Sequence, residues 1–395
     1  MAKVIVHIDL NYFFVRCEEI KDPSLENKPV AVGHVGRGGI VSTCSYKARE
    51  YGVRSGMPMF QALKLCPDLI VKNGDYEFYS VMSREFMLFV KEYTNKVEIA
   101  SIDECYADFS DALKGQKFVI DFFKQFQRDL FKRTKLYCSI GISTNKFLAK
   151  MGSDLKKPNG ITILRQRDFK EKIYPLSIDD MFGIGKKSAP RFKSIGVNTI
   201  GDLANAINNK TDEIIAISGK FFETLKDWVN GKGDDNIYNV DEIDAKSIGN
   251  SHTLSHDTND YDEIKEALKL LAKEVSDRAK NEDGYGKTVQ ITLKDTSFVS
   301  QNKSITFSKA TNESDVIYHY CLKLLDKHYD GRDIRLVGVT LQNLMDAKDI
   351  VYQMTFFDYE QAIEESSTKL LINELNRKLS KPMLKRASEV EDENK

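Results

Sequence analysis

Val4-Ile5-Val6-His7-Ile8-Asp9-Leu10-Asn11-Tyr12-Phe13-Phe14 and Val97-Glu98-Ile99-Ala100-Ser101-Ile102-Asp103-Glu104-Cys105-Tyr106-Ala107-Asp108-Phe109 are the stretches whose reading decides the fold. In the first, an apolar run ends on a carboxylate, which reads as a buried strand terminated by Asp9. In the second, two strand-like runs, 97–102 and 105–109, are separated by almost nothing, which reads as a tight hairpin with Asp103-Glu104 at or near its turn. Carboxylates at the ends of buried strands are costly unless paired or bound to a cation. If the first strand lies beside the hairpin, three acids converge and push up one another's pKa values. Two Mg²⁺ ions would relieve that repulsion and supply two-metal phosphoryl-transfer chemistry. By spacing alone, a polar turn and a strand terminator account for the same residues.

Outward from these stretches, the first 170 residues alternate strands and helices. Residues 11–19 continue into Ile20 with Phe13, Phe14 and Cys17 at helical spacing, and 30–32 and 40–43 read as strands joined by the glycine-rich turn 34–39. Val119, Phe122, Phe123, Phe126 and Leu130 mark a one-faced helix, and 136–142 reads as another strand. From Ile178 to about Tyr238 the chain is helical, small-residue-rich and punctuated by Gly183, Gly185, Gly196 and Gly201. Residues 236–245 read as an acidic linker. A second pattern follows: strand 247–254, a helix with Ile264, Leu268, Leu271 and Val275, strands 288–293 and 304–307, a helix with Ile317, Tyr320, Cys321, Leu324 and Leu325, and strand 334–341. That βαββαβ order predicts a ferredoxin-like unit.

The chain has 395 residues, which predicts about two to four domains. Its 58 Lys+Arg nearly cancel its 59 Asp+Glu, so only charge clustering can bear on a nucleic-acid partner. No apolar run approaches the roughly 18 residues of a membrane span, and the N-terminus lacks a signal-peptide layout because Asp9 interrupts it. The six cysteines lie far apart with no CxxC pair, which argues against a zinc site or disulfide framework and for a reducing cytosol. A cytoplasmic monomer is expected.

Thr43-Cys44-Ser45-Tyr46-Lys47-Ala48-Arg49 puts Tyr46 and Arg49 three apart at a helix start, pointing the same way. A hydroxyl and a forked cation there suit a polyphosphate. Lys156-Lys157-Pro158-Asn159-Gly160 adds cations just before a turn. An ordinary surface helix and a basic turn are the plainer reading of each. No Walker GxxxxGK[ST] is present, which disfavours a P-loop NTPase.

Taken together, these segments resemble the Y-family DNA polymerases, over about residues 3–345. The resemblance rests on five stretches in order: His7–Phe14; Ser42–Arg49 with Tyr51-Gly52-Val53-Arg54-Ser55-Gly56-Met57-Pro58; Ser101-Ile102-Asp103-Glu104; Gly141-Ile142-Ser143 through Asn145-Lys146 to Lys157-Pro158-Asn159-Gly160; and Gly183-Ile184-Gly185. It implies an α+β multidomain fold. A palm (1–10 and 76–170) would hold an antiparallel-rich sheet with helices. Small fingers (11–75), a helical thumb with a helix-hairpin-helix (171–235), the linker and a ferredoxin-like little finger (246–345) would follow, with a tail at 346–395. It implies that Asp9, Asp103 and Glu104, with the Leu10 carbonyl, bind two Mg²⁺ ions. Tyr46, Arg49 and Lys157 would hold the triphosphate of a dNTP, with backbone N–H groups near Tyr12 and Phe13. Phe14 would be a steric gate against a 2′-OH, and Ser42 and Thr43 a small-residue roof whose slack admits damaged templates. Many relatives carry a second Asp where this chain has Asn11, which lowers the local charge by one.

The resemblance further implies that Gly183, Gly185, Lys186 and Lys187 grip primer–template DNA through its phosphates. The peptide Gln353-Met354-Thr355-Phe356-Phe357 would dock on a sliding clamp, with Gln353, Met354, Phe356 and Phe357 as its anchors. The expected activity is low-fidelity, template-directed DNA synthesis without proofreading. Two other readings share some of these features: a nucleotidyl cyclase, disfavoured by the DNA-gripping segments, and a silent DNA- or clamp-binding accessory, disfavoured by the intact acid triad.

Overall fold

The apolar run ending near Asp9 forms a strand buried at every position, and it sits at the centre of the largest sheet. The structure, a computed structural model, describes residues 3–209, 211–238 and 245–346. The chain divides into two units at 244/245, within the expected linker. Strands of the first unit are β1 (Ile5–Leu10), β2 (Val30–Gly33), β3 (Val41–Cys44), β4 (Ile70–Lys72), β5 (Val97–Ile99), β6 (Glu104–Asp108), β7 (Cys138–Ser143) and β8 (Ile161–Ile163). They form a five-stranded sheet, β5-β6-β1-β7-β8, and a three-stranded one, β3-β2-β4. In the larger sheet the neighbours run antiparallel except β7 and β8, which are parallel.

The period-2 pleat divides β1 between two environments. Val6, Ile8 and Leu10 enter a core built with helices Tyr76–Lys91 and Val119–Thr134, where Phe86, Phe89, Phe123, Phe126 and Leu130 are buried. His7 and Asp9 emerge on the opposite face, under helix Lys146–Asp154. That helix is buried on two sides. Phe147, Leu148 and Met151 join a second core with the helical segment 164–229, while Lys150 and Ser153 face the sheet. A third small core lies under β3, with Ala31, Val41, Cys44, Ala48, Met59 and Ala62.

The close seating of helix Lys146–Asp154 depends on Gly141 in β7. A Cβ there would fall within 3.0 Å of the backbones of Ala149, Gly152 and Ser153. Backbone cannot step aside as a flexible side chain can, so the helix itself would have to shift.

The second unit contains β9 (Ser247–Thr258), β10 (Gly284–Asp295), β11 (Ser300–Thr311) and β12 (Ile334–Asp346), with helices Tyr261–Asn281 and Ser314–His328 between them in the expected βαββαβ order. The apolar positions read from helical spacing all pack in its core, Tyr320 partly buried. The strand order corrects the ferredoxin-like expectation. It is β11-β10-β12-β9, antiparallel throughout, so the second and fourth strands are central rather than the first and third. Element order fixes the hairpin and the two crossovers but not which strands take the middle. Composition decides that here: β10 and β12 bury Val289, Ile291, Leu293, Val337, Val339 and Leu341, whereas β9 and β11 are polar and largely exposed, as suits edges.

Gly141→Ala should destabilise the protein by roughly 1–3 kcal/mol, through overpacking against the helix backbone. Urea unfolding measures this, and an unchanged midpoint would mean the helix can lift freely from the sheet.

Candidate active site

Asp9 and Glu104 are direct cross-strand partners on β1 and β6. The Leu10 N–H donates to the Asp103 carbonyl at 2.9 Å, which places Asp103 at the same end of the ladder. Two like charges facing across a ladder repel, and helix Lys146–Asp154 supplies the answer. Lys150 Nζ lies 3.2 Å from Asp9 Oδ2 and 2.8 Å from Glu104 Oε1, bridging the pair. Lys157 Nζ donates to Asp9 Oδ2 at 2.5 Å and pairs with Asp154 at 2.9 Å. His7 Nε2 stands 3.5 Å from Glu104 Oε2. Its Nδ1 is 2.8 Å from Ser153 Oγ, which gives its own hydrogen to the Lys150 carbonyl and so accepts from the imidazole. The Asp103 carboxylate is turned aside and accepts from the Ser101 hydroxyl at 2.7 Å. Among the described residues no three His, Cys, Asp or Glu side chains are gathered into a metal-holding group. The positive charge beside Asp9 and Glu104 comes from lysine.

Burial and the facing Glu104 push Asp9 up to about 7 against the pull of Lys157 and Lys150. Burial also opposes ionisation of Glu104, but the facing Asp9 and the Lys150 ammonium outweigh it and hold that carboxyl well below the usual range. Of the two, Asp9 is the carboxyl whose ionised form is disfavoured. Asp103 is raised, chiefly by burial. Burial pulls Lys150 and Lys157 down, yet the surrounding carboxylates win and raise both. Burial lowers His7, keeping the imidazole neutral.

All three acids open into one cavity of about 390 Å³, whose lining also includes Leu10, Asn11, Tyr12, Phe13 and Phe14. Ser42, Thr43, Tyr46, Arg49 and Lys157 complete most of the remaining wall. Tyr46 and Arg49 do share a direction. They sit on helix Tyr46–Glu50, N-capped by Ser45, with the Arg49 guanidinium 4.9 Å from the Tyr46 ring centroid. Tyr12 is left-handed, φ 39°, and starts helix Phe13–Lys21 at the cavity floor. Phe14 stacks on Tyr79, with centroids 4.6 Å apart and planes 17° apart, and meets the Tyr76 edge at 5.7 Å. The Tyr79 hydroxyl donates to buried Glu18 at 2.7 Å, which stops the ring from retreating.

Four of these partners escaped the sequence reading. Lys150 lies between Phe147, Leu148 and Met151 on an apolar helix, and a lysine in that setting is the signal that was available. Tyr76 and Tyr79 lie on helix Tyr76–Lys91, whose periodicity is broken, and Glu18, on helix Phe13–Lys21, acts through Tyr79. Gly183 (φ 87°) sits where a Cβ would meet the Trp228 and Phe221 rings, so packing and backbone both require glycine there. A Cβ on Gly185 would meet nothing within 4 Å, and Lys186 and Lys187 are exposed beside it. The expected helix-hairpin-helix is only half helical in its arms: a single 3₁₀ turn, Ile178–Asp180, precedes the loop and helix Ala189–Ser194 follows it. Gln353, Met354, Phe356 and Phe357 lie outside the described residues.

A carboxyl raised on folding binds its proton more tightly in the native state, so it costs stability as pH rises from its unfolded value, 3.8, through about 7. In metal-free buffer, Asp9→Asn should therefore gain on wild type between about pH 4 and 7. Urea unfolding at several pH values reads this, and parallel pH profiles would mean that Asp9 is ionised throughout.

Residues 8–154 match the model of the impB/mucB/samB family, and residues 245–356 match the C-terminal domain of that family. A DNA polymerase IV of Bacillus velezensis is 36% identical over 394 residues, spanning 99% of this chain and 94% of its own length. One from Alkaliphilus oremlandii is 37% identical over 366 residues, spanning 91% and 90%. Among solved structures, the Y-family DNA polymerase chimera Dbh-Dpo4(243-245)-Dbh aligns with a TM-score of 0.76 at 27% identity, covering 87% of this chain and 99% of its own. An insertion ternary complex of Dbh DNA polymerase aligns at 0.62 and 26% identity, with the same coverage. The cavity of facing acids at the end of a central strand, the matched domains and the near full-length relatives agree, and the chain belongs to the impB/mucB/samB family as a Y-family DNA polymerase of the DNA polymerase IV type.

Proposed function

We propose that this translesion polymerase binds two Mg²⁺ ions through Asp9, Asp103 and Glu104, with the Leu10 carbonyl as a further oxygen donor. The observation that carries the reading is the single cavity into which all three carboxylates, Tyr46, Arg49 and Lys157 open. The donor set fits: hard oxygens suit Mg²⁺, and cations at this spot would take over the neutralising role of Lys150 and Lys157. Rotating Asp103 away from Ser101 completes the set. When bound, such ions supply activation of the primer 3′-OH and charge stabilisation at the α-phosphate and leaving pyrophosphate. Released from Asp9, Lys157 can join Tyr46 and Arg49 on the triphosphate. Phe14, backed by Tyr79, lies under the sugar and leaves no room for a 2′-OH. Ser42 and Thr43 face the new base pair with little bulk, which loosens shape selection.

The core under β3 falls wholly within 11–75 and the second unit has a core of its own, which supports fingers (11–75) and little finger; palm (1–10 and 76–170) and thumb (171–235) meet through helix Lys146–Asp154, which belongs to the second core. Lys186 and Lys187 hold primer–template DNA through its phosphates, the segment at Gln353–Phe357 docks on a sliding clamp, and the enzyme works in the cytoplasm.

Primer extension on an undamaged template with Mg²⁺ and dNTPs tests the site. Wild type should extend, Asp103→Ala should lose activity by several orders of magnitude, and Phe14→Ala should incorporate ribonucleotides. Extension by Asp103→Ala at the wild-type rate would refute the metal assignment. Replacing Lys186 and Lys187 together by alanine should weaken DNA binding and reduce the slope of log K against log salt by up to about 2. An unaltered slope would remove these lysines from the interface.

A further inference from the structure

Asn11 is buried at 3% exposure just beyond the end of β1, two residues after Asp9. Its backbone N–H donates to the Tyr137 carbonyl at 2.8 Å. Its side chain uses both ends of the amide. Oδ1 accepts from the Ser139 hydroxyl at 2.8 Å, and Nδ2 donates to Asn159 Oδ1 at 2.7 Å. Ser139 belongs to β7, the neighbour of β1, so the acceptor end is fixed by the sheet. Asn159 belongs to the loop 156–160, which carries Lys157. The amide therefore clamps that loop to the floor of the cavity across 148 residues of sequence.

The loop has other anchors, and they hold its far side. Gln127 donates to the Asn159 carbonyl at 3.1 Å from helix Val119–Thr134, and the Gly160 carbonyl accepts from Ile140 at 2.8 Å. Asn159 is left-handed, φ 61°, which turns its side chain back toward Asn11. Lys157 reaches Asp9 from this loop along a long, flexible stem, so where its ammonium can go depends on where the loop holds its Cα. A carboxylate at position 11 offers acceptors only. It would need the Asn159 amide reversed, and it would add a charge to the cavity that Asp9 and Lys157 also line.

We infer that Asn11 is a positioning residue for the incoming nucleotide: through Asn159 it sets the loop that presents Lys157 to the triphosphate. The inference rests on the assignment of Lys157 to the triphosphate under the proposed function.

Single-nucleotide insertion by the full chain, on an undamaged primer–template with Mg²⁺, tests it with Lys157→Ala, Asn11→Ala, Asn159→Ala and the Asn11→Ala/Asn159→Ala double variant. Lys157→Ala should raise KM for dNTP. Asn11→Ala and Asn159→Ala should each raise KM about tenfold with kcat within about twofold, the pattern of lost substrate positioning. The double variant should be no worse than either single, because both remove one link. Asn159→Ala lies on an exposed loop and should lower the melting temperature only slightly, the cost of alanine at φ 61° and of the lost bond, so it reads positioning even if Asn11→Ala folds poorly. A raised KM for Lys157→Ala beside a wild-type KM for Asn159→Ala overturns the inference alone, as do multiplied effects in the double variant or a loss confined to kcat. A wild-type KM for Lys157→Ala refutes the triphosphate assignment, and the inference falls with it.

Discussion

Two carboxylates facing each other across neighbouring strands are the constraint on which the first unit is built. Asp9 and Glu104 occupy opposed positions in the β1–β6 ladder, and nothing in the sheet can neutralise them. The neutralising charge has to come from another layer and within hydrogen-bond reach. Lys150 brings it, and it can do so because its helix lies against β7 with no side chain between them at Gly141. The outer face of the same helix anchors the second core through Phe147, Leu148 and Met151. One short helix thus joins two cores and aims an ammonium group into the acid pair, so packing and electrostatics cannot be varied independently there.

The strongest signals in the sequence were those with a period or an order. The runs ending at Asp9 and around Asp103-Glu104 identified the central strands, and helical spacing found Phe123, Phe126, Leu130 and the core positions of the second unit. β4 and β8 are three residues long, too short for alternation to register; β5 is as short but stands out by its run toward Asp103-Glu104. Helix Tyr76–Lys91 was passed over although five of its residues are buried, because serines, acids and basic residues interrupt its aromatic face. The strand order of the second unit could have been argued from composition, since the apolar strands had to be central. Element order by itself leaves it open.

The site was legible to a different degree. Asp9, Asp103, Glu104, Tyr46, Arg49, Lys157 and Phe14 line one cavity, as their ordered motifs implied. Their supports were not legible, because supports act through distance rather than through local pattern. Glu18 reaches Tyr79 across 61 residues, Lys150 reaches Asp9 across 141, and Asn11 reaches Asn159 across 148. No window of sequence contains both members of such a pair.

The walls of the cavity differ in stiffness in a way that bears on a polymerase tolerant of damaged templates. The floor is over-determined: Tyr12 is held left-handed, Phe14 is stacked on a tyrosine fixed by a buried carboxylate, and Asn11 is bonded at both ends. Ser42 and Thr43 present small polar side chains, and Ser42 has only a 3.5 Å contact with the Tyr76 hydroxyl. Under the proposed function, discrimination at the sugar relies on a rigid clash, since a ring that could swing aside would admit a 2′-OH at little cost. Tolerance at the base needs the reverse, a surface that does not penalise an altered outline. A chain that fixes Phe14 from behind while leaving the residues above it small can do both, because the two demands fall on different elements: helix Phe13–Lys21 with its tyrosine support, and strand β3.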